Sequence, residues 1–458
     1  MTAAPATSTA SLAIRSHDPG YDAAVATFNT AHRPRPDLVL EARSPDDVVA
    51  GVRRARAEGL AVTVQATGHG IASDLAGSLL ISTRHLDDVR VDAGRRVAVV
   101  GGGATWAQVI AAATPHGLAP ICGSSSGVGV AGFLLGGGHG PLSREFGVGS
   151  DHLRRAVVVT GAGELVDTDD DPDLLAALRG GKAGFGIVVE LEVDLHPVTR
   201  LYGGGIFLPG EAAPAVLPAW RDWVAALPEH ASSSVALLRL PPDPSLPPPL
   251  QGRFVVHLRF TTTGSTEEGE ALIAPMRALG RGERSDGGYD VEPIADMVGE
   301  MPFAAIDAVH ADPTDPMPVW DSSALLTDLP DTALEALLAV AGPGVETPLI
   351  MAELRAFGGA ITRRPDLDSV AGRDAPFGLY ALGPMVPELV GVVPIVVQGV
   401  VDALKPWSAG VLPNFLGAAH GGVVGRAWDD ETLVRLLATR TRLDPDGVFG
   451  RVGTRIGE

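Results

Sequence analysis

The stretch Cys122–Phe146 constrains this chain more than any other: CGSSSGVGVAGFLLGGGHGPLSREF, with eight glycines in twenty-five residues and three in a row at Gly136, Gly137 and Gly138. Glycine lacks a Cβ, so the backbone there reaches positive φ and lets a ligand lie against the main chain. Successive N–H groups freed in such turns make a concave anion site. The stretch reads either as a tight loop between packed elements or as the wall of a large, flat or anionic ligand. The match Gly127-Val128-Gly129-Val130-Ala131-Gly132 fits G-x-G-x-x-G, but a nicotinamide fingerprint needs a strand directly before it. Here Gly123-Ser124-Ser125-Ser126 precedes it. No P-loop pattern is present, so ATP chemistry has no support.

Elsewhere the chain excludes several classes. Its 458 residues exceed a single core, so two or three domains are expected. The formal charge of −20 argues against nucleic acid and anionic membranes as partners. One cysteine, Cys122, leaves no intrachain disulfide and no cysteine-cluster metal site, and no metal is expected. The N-terminal residues lack a secretory pattern and no long apolar run occurs, so a cytoplasmic enzyme is the expectation.

Residues 1–15 read as disordered and Tyr21–His32 as a helix. Strands follow at Asp37–Glu41, Ala61–Val64, Ser78–Ser82, Val89–Asp92 and Arg96–Val100. The helix Pro45–Glu58 is capped by Ser44 and ended by Gly59. Thr105–Thr114 is a further helix. Strands at Leu153–Thr160 and Ile187–Leu195 bracket the helix Asp171–Leu178. Beyond residue 200, strands at 201–207, 235–240, 253–261, 323–326 and 349–357 alternate with helices at 212–227, 267–279, 332–340 and 393–404. This pattern suggests one large sheet covered on one face. Pro242–Pro249 is an exposed loop and Asp430–Arg442 a tail helix.

Read together, glycine-flanked His69 after a strand, the Gly127–Gly140 cluster, Leu178-Arg179-Gly180-Gly181 and Gly184-Phe185-Gly186-Ile187-Val188 resemble a known flavoprotein pattern. It is that of the vanillyl-alcohol oxidase and p-cresol methylhydroxylase (PCMH) superfamily, in its berberine-bridge-enzyme-like branch. Pro413-Asn414-Phe415-Leu416 and Leu443–Phe449 carry the resemblance into the tail. It implies an α+β fold: an N-terminal segment and helix over 1–33, and a two-part PCMH-type FAD-binding domain over 34–198. A substrate-binding domain with a large antiparallel sheet covered by helices would span 199–410. A berberine-bridge-like segment over 411–458 would return to the FAD domain.

The resemblance also implies site residues. Gln65, Ala66, Thr67, Gly68, His69 and Gly70 would cradle the FAD pyrophosphate. Gly123, Ser124, Ser125, Gly127, Val128, Gly129, Gly132, Gly136, Gly137 and Gly138 would run along the adenosine and the isoalloxazine edge. Gly186, Ile187 and Val188 would hold the adenine end, and Asn414 would neighbour the pyrimidine side. His139 stands beside the flavin or is structural. His69 falls where the family attaches its flavin through the 8α-carbon; alternatively it caps a turn or bonds a phosphate. Relatives carry a second link from a cysteine at the position of Ser125, and Cys122 lies three residues early. A single covalent bond is therefore expected. The family's tail tyrosine, often its base or the base's partner, is replaced by Leu412.

Hydride transfer to FAD requires a proton acceptor. In Met351-Ala352-Glu353-Leu354-Arg355, alternation puts Met351, Glu353 and Arg355 on one face. Glu353 is then a candidate base and Arg355 an anion-binding group, or the two form a surface ion pair. Tyr380 and Trp320 are candidates to line the pocket or pack the core. His310 is a base or a loop residue. The expected activity is oxidation of a small organic substrate by hydride transfer to covalent FAD. O₂ is the expected acceptor, and the chain a monomer or homodimer. A dehydrogenase with another acceptor, and a flavin-holding protein with little turnover, are the alternatives.

Overall fold

The computed structural model describes residues 13–70, 75–279, 292–366, 368–416 and 427–449. Most of the 1–15 stretch read as disordered, and parts of the tail, lie outside these residues. The N-terminal part holds two sheets. The first is four-stranded in the order Ile14–Arg15, Leu38–Glu41, Ser78–Ser82, Ala61–Gln65. Its last three strands are parallel. Parallel strands need a crossover, and the helix Pro45–Glu58 carries the chain from Leu38–Glu41 over to Ala61–Gln65, leaving Ser78–Ser82 to pair between them. Ser44 and Asp47 form a reciprocal capping box at its start, and Gly59 ends it at φ 70°. Val48, Val52 and Ala55 are buried on one face, and Gly51 lets the helix settle on Leu40.

The second sheet is antiparallel, in the order Val89–Asp92, Val97–Gly101, Ile187–Asp194, Leu153–Val159, Leu165–Asp167. The strand expected from Arg96 starts one residue later, because Arg96 turns at φ 55°. Trp106, Val109 and Ile110 of the helix Trp106–Ala113 join the core below it.

Residues 200–410 build a nine-stranded antiparallel sheet whose central strands run Phe254–Thr262, Ala231–Arg239, Met351–Ala356, Phe377–Pro384, Val319–Leu326. Phe377–Pro384 is a strand absent from the sequence reading. Its glycines and proline hide the alternation of Leu379 and Ala381, both buried. Helices Ala213–Val224, Thr266–Ala278, Asp331–Ala341 and Val393–Ala403 cover one face, burying Leu217, Trp220, Leu337 and Val397. Each fully buried side chain of this kind contributes about 1.5–3 kcal/mol. Ala352 and Leu354 point into that core, so Met351, Glu353 and Arg355 point out of it. The opposite face of the sheet looks back at the glycine-rich stretch: Thr261 Oγ1 donates to the Pro141 carbonyl.

The tail packs on the N-terminal part. Leu436 and Leu443 of the helix Asp430–Leu443 enter its core, and Val62 N donates to Val448 O. Among the described residues no helix is long and apolar enough to cross a membrane.

Candidate functional site

The strand Ala61–Gln65 delivers the His69 turn. Gln65 is anchored by Nε2 donating to Ala26 O at 2.6 Å. Gly68 turns at φ 78°, pressed so closely on Thr27 that a Cβ would lie 2.8 Å from its Cα. His69 then stacks on Phe28, ring centroids 4.1 Å apart, with Nδ1 2.7 Å from Thr67 Oγ1. Burial pushes the imidazole down to about 4, so it is neutral at pH 7. The contact explains a correction. The helix read over Tyr21–His32 stops at Ala24. Thr27 and Asn29 spend their side chains on local backbone and on Val319, which turns Phe28 toward His69.

Gly129 lies against this turn; a Cβ there would sit 3.5 Å from Ala66 Cβ and 3.6 Å from Thr67 Oγ1. A short helix, Val130–Leu135, begins directly after it. At the helix's far end a Cβ on Gly136 would fall 2.0 Å from Asn414 Oδ1. Gly137 and Gly138 take φ 95° and 77°. His139 follows, buried against Phe357, with both ring nitrogens unpartnered. Burial, then Arg373 and Arg355, push it down to about 3.

The residues before the helix tie the two parts together. Ser124 Oγ donates to Asp312 at 2.7 Å, and Ser126 N and Oγ donate to Asp307 at 2.9 and 2.5 Å. Gly123 lies against Phe133, while Val128 packs on the core around Trp106. Burial and Asp307 push the Cys122 thiol up to about 12, which leaves it protonated and inert. Gly186, Ile187 and Val188 stand apart from this cluster, in strand register with Val158 and Val159. The side chains of Ile187 and Val188 face cores, which leaves neither of them to touch a ligand.

Across the cleft, Glu353 is fully buried, not a surface ion pair. It accepts from Arg259 at 2.5 Å and from Arg355 at 2.8 Å, with His310 Nε2 3.7 Å away. Burial alone would raise this carboxyl, but Arg355 and Arg259 hold it below its ordinary value. Tyr380 pairs with Glu353 in register and donates its hydroxyl to Asp321 at 2.8 Å. Burial, then Asp321, keep that hydroxyl protonated well above its ordinary range. Phe415 closes the cluster, 5.0 Å below the Arg355 guanidinium and 5.2 Å from the Tyr380 ring. Trp320 packs instead on the helix-covered core, and Leu412 sits in an apolar cluster with Phe357 and Val370.

Sequence reasoning missed Arg259, Asp321, Phe415 and Lys182. Lys182 Nζ donates to Asn414 Oδ1 at 2.6 Å. The one signal for it was rarity: the chain has only two lysines, Lys182 and Lys405.

The donor set fits a flavin. Gly70 and Gly132 have open space where a Cβ would go, so a flat ligand can approach the backbone there. Neutral His69, unpartnered His139 and the Lys182 cation supply polar groups around that space. Among the described residues no cluster able to hold a metal occurs.

Comparisons with known proteins point the same way. A family described as an FAD binding domain matches residues 36–169. The (R)-6-hydroxynicotine oxidase of Paenarthrobacter nicotinovorans is 34% identical over 188 residues, 40% of this chain and 41% of that protein. The chain thus matches well under two thirds of that relative's length. The solved structure of BBE-like 1 from Physcomitrella patens superposes with a TM-score of 0.81 at 17% identity, over 96% of this chain and 95% of that one. Glucooligosaccharide oxidase from Acremonium strictum, described with a 6-S-cysteinyl, 8α-N1-histidyl FAD, gives 0.82 at 20% identity over 96% of each chain. These two likenesses show the fold.

Proposed function

We propose that the chain is a member of the vanillyl-alcohol oxidase and PCMH superfamily, in its berberine-bridge-enzyme-like branch, that it oxidises a small organic substrate with FAD held covalently by His69 alone, and that O₂ takes up the electrons; the matched FAD binding domain and the likeness to (R)-6-hydroxynicotine oxidase support this reading. The observation that carries this reading is the neutral, stacked His69 at the mouth of a glycine-lined cleft. A neutral imidazole keeps the lone pair that a nucleophile needs. Ser125 stands where relatives carry a cysteine, and Cys122 is a buried, protonated thiol; both support a single link.

When bound, FAD supplies a two-electron acceptor. The chain's own residues then have to position the substrate and take its proton. Tyr380 is the proposed contact: it receives the substrate proton as its own passes to Asp321, along the hydrogen bond already present. Glu353, with both oxygens engaged by guanidinium groups, is a poor first acceptor and instead fixes Arg355. Arg355, stacked over Phe415, is placed to bind an electron-rich group of the substrate. His310 and His139, as neutral rings, line a cavity that Arg355 also borders.

The test begins with the purified protein. Yellow colour is expected to survive acid precipitation and to disappear from the pellet of His69→Ala. A substrate screen with peroxide detection then reads the acceptor. Flavin released by acid from the wild type sinks the covalent link. Reduction by substrate without peroxide moves the chain from oxidase to dehydrogenase.

A further inference from the structure

The strand Ala231–Arg239 carries small residues on the face that looks away from the helix-covered core. Val235 and Leu237 enter that core, and Ser233 donates into it from Trp220 Nε1 to its own Oγ at 2.9 Å, so Ser232, Ser234 and Ala236 lie on the opposite face. Register sets Ser234 between Arg259 on one neighbouring strand and Arg355 on the other, and Ala236 between His257 and Glu353. Small side chains between long ones leave a trough along the strand. The glycine-rich stretch roofs it: His139, Pro141 and Arg144 border the same cavity as Ser234, Arg259 and His310. The cavity measures about 40 Å³. A single water needs ~10–15 Å³ of such space, so it suits about three heavy atoms.

Its charge is one-sided. Arg144, Arg259 and Arg355 border it, and among the described residues no carboxylate does. Arg259 and Arg355 share one carboxylate, Glu353. Asp312 also acts on Arg355, but it is engaged by the Ser124 hydroxyl. Arg144 gives its donors to the carbonyls of Leu227, Ala231 and Phe357, which satisfy its N–H groups and leave its charge. Glu229, which acts on Arg144, is itself paired with Arg363.

Two buried rings border this space with nothing to bond. Both nitrogens of His139 and Nδ1 of His310 are unpartnered, and the two residues are 5% and 7% exposed. Burial, then guanidinium groups, keep both rings neutral: Arg373 and Arg355 act on His139, Arg259 and Arg355 on His310. A neutral imidazole has one N–H to give. An unmet buried donor is costly, and so is a surplus of buried positive charge. A cation is repelled here, and a neutral guest answers the donors but not the charge.

We propose that this trough is a binding site for a small monovalent anion of about carboxylate size, held over Ser234 between Arg259 and Arg355 and capped by the His139 and His310 rings. Chloride and formate have that chemistry as free ions. The carboxylate end of an organic substrate has it too, and Arg355 joins the trough to the Phe415 ring. The site stands whether or not the flavin reading does.

The experiment melts the purified full chain near pH 7 in rising sodium formate or sodium chloride, against sodium gluconate at equal ionic strength. Gluconate carries the same carboxylate on a chain too long for the space. Formate and chloride are expected to raise the midpoint by about 3 °C and then saturate, as a single site does. Gluconate is expected to leave it level. Ser234→Leu fills the trough and Ser234→Asp places a tethered carboxylate in it, so both are expected to lose the response to formate. An equal rise in gluconate would mean general screening of charge and overturns the site. A formate response that survives in either folded variant overturns it as well. The gluconate comparison uses wild type alone and decides even where a variant fails to fold. Kinetics with a substrate from the peroxide screen then separates the two sources of the anion. A KM raised by formate at constant kcat marks the trough as the seat of the substrate's carboxylate; an unchanged KM marks it as a site for a free ion.

Discussion

Tyr380 donates its hydroxyl to Asp321 at 2.8 Å across two neighbouring strands, and the same ring meets Phe415 edge-on. The hydroxyl is thereby aimed by the sheet, not by a loop. If it relays the substrate proton, Tyr380→Phe removes the relay and leaves the ring packing intact. The expected loss in kcat is about 10²–10⁴-fold, the usual range for a positioned acid–base group. Asp321→Asn should fall into the same range, since an amide cannot hold the proton. Both variants should retain flavin and melt close to wild type. A Tyr380→Phe enzyme within a few-fold of wild type, beside an inactive Glu353→Gln, would transfer the role to Glu353.

Glu353 makes a separate prediction about stability. It sits fully buried between Arg259 and Arg355, and removing one member leaves unanswered charge in the interior. Glu353→Gln is expected to cost about 3–5 kcal/mol. Removing the partner as well, in Glu353→Gln/Arg259→Met, should recover part of the loss, because one buried cation leaves with the anion. Chemical denaturation of both variants reads this directly. A double variant no better than the single one would mean that the hydrogen bonds, and not the charge balance, hold the cluster.

The unequal legibility of these groups has a physical reason. Glu353 and Arg355 were visible because a strand alternates, and Met351-Ala352-Glu353-Leu354-Arg355 shows it plainly. Arg259 was not, because its pairing with Glu353 depends on sheet order and register, which no local pattern carries. Asp321 stayed hidden for the same reason. His69 and the glycine clusters were legible through spacing, since a backbone that must approach a ligand closely can use few other residues. Phe28 was missed where local polar bonding overrode a helical period. The Val130–Leu135 helix was missed because two of the residues around its start are glycines of the fingerprint itself.

Acid should weaken the fold through its buried histidines. His152 Nε2 contacts Phe146 O at 3.1 Å, and its Nδ1 is 3.1 Å from His196 Nε2. Burial pushes both down to about 4, with His152 adding to the effect on His196 and Arg179 to that on His152. Above pH 6.5 the rings are neutral in folded and unfolded chain alike, and their contribution is complete. As pH falls from 6.5 toward 4 the unfolded chain takes up protons that the folded one refuses, so stability is lost. The slope is up to about 1.4 kcal/mol per pH unit for each ring. Melting curves from pH 8 to pH 5 should show the decline, and His196→Gln should flatten it. A melting temperature that stays level to pH 5 would contradict the burial of these rings.

Gly136 separates the packing of the cleft from its chemistry. Its φ of −103° suits any residue, so backbone strain is not at issue. A Cβ there would instead lie 2.0 Å from Asn414 Oδ1 and 2.4 Å from its Cγ, and Asn414 is pinned by Phe133 O and Lys182. Gly136→Ala must therefore push Asn414 aside and free the Lys182 ammonium. The cost should appear in flavin loading, expected to drop about tenfold, with a smaller change in melting of about 1–3 kcal/mol. Gly127→Ala is the contrast. Its Cβ would meet nothing nearer than Ser125 Oγ at 3.8 Å, so folding should be unchanged. The ratio of flavin absorbance to protein absorbance, measured on both variants, decides. Equal loading in Gly136→Ala and wild type would show that Asn414 can move without consequence, and that the short helix does not define the end of the flavin cleft.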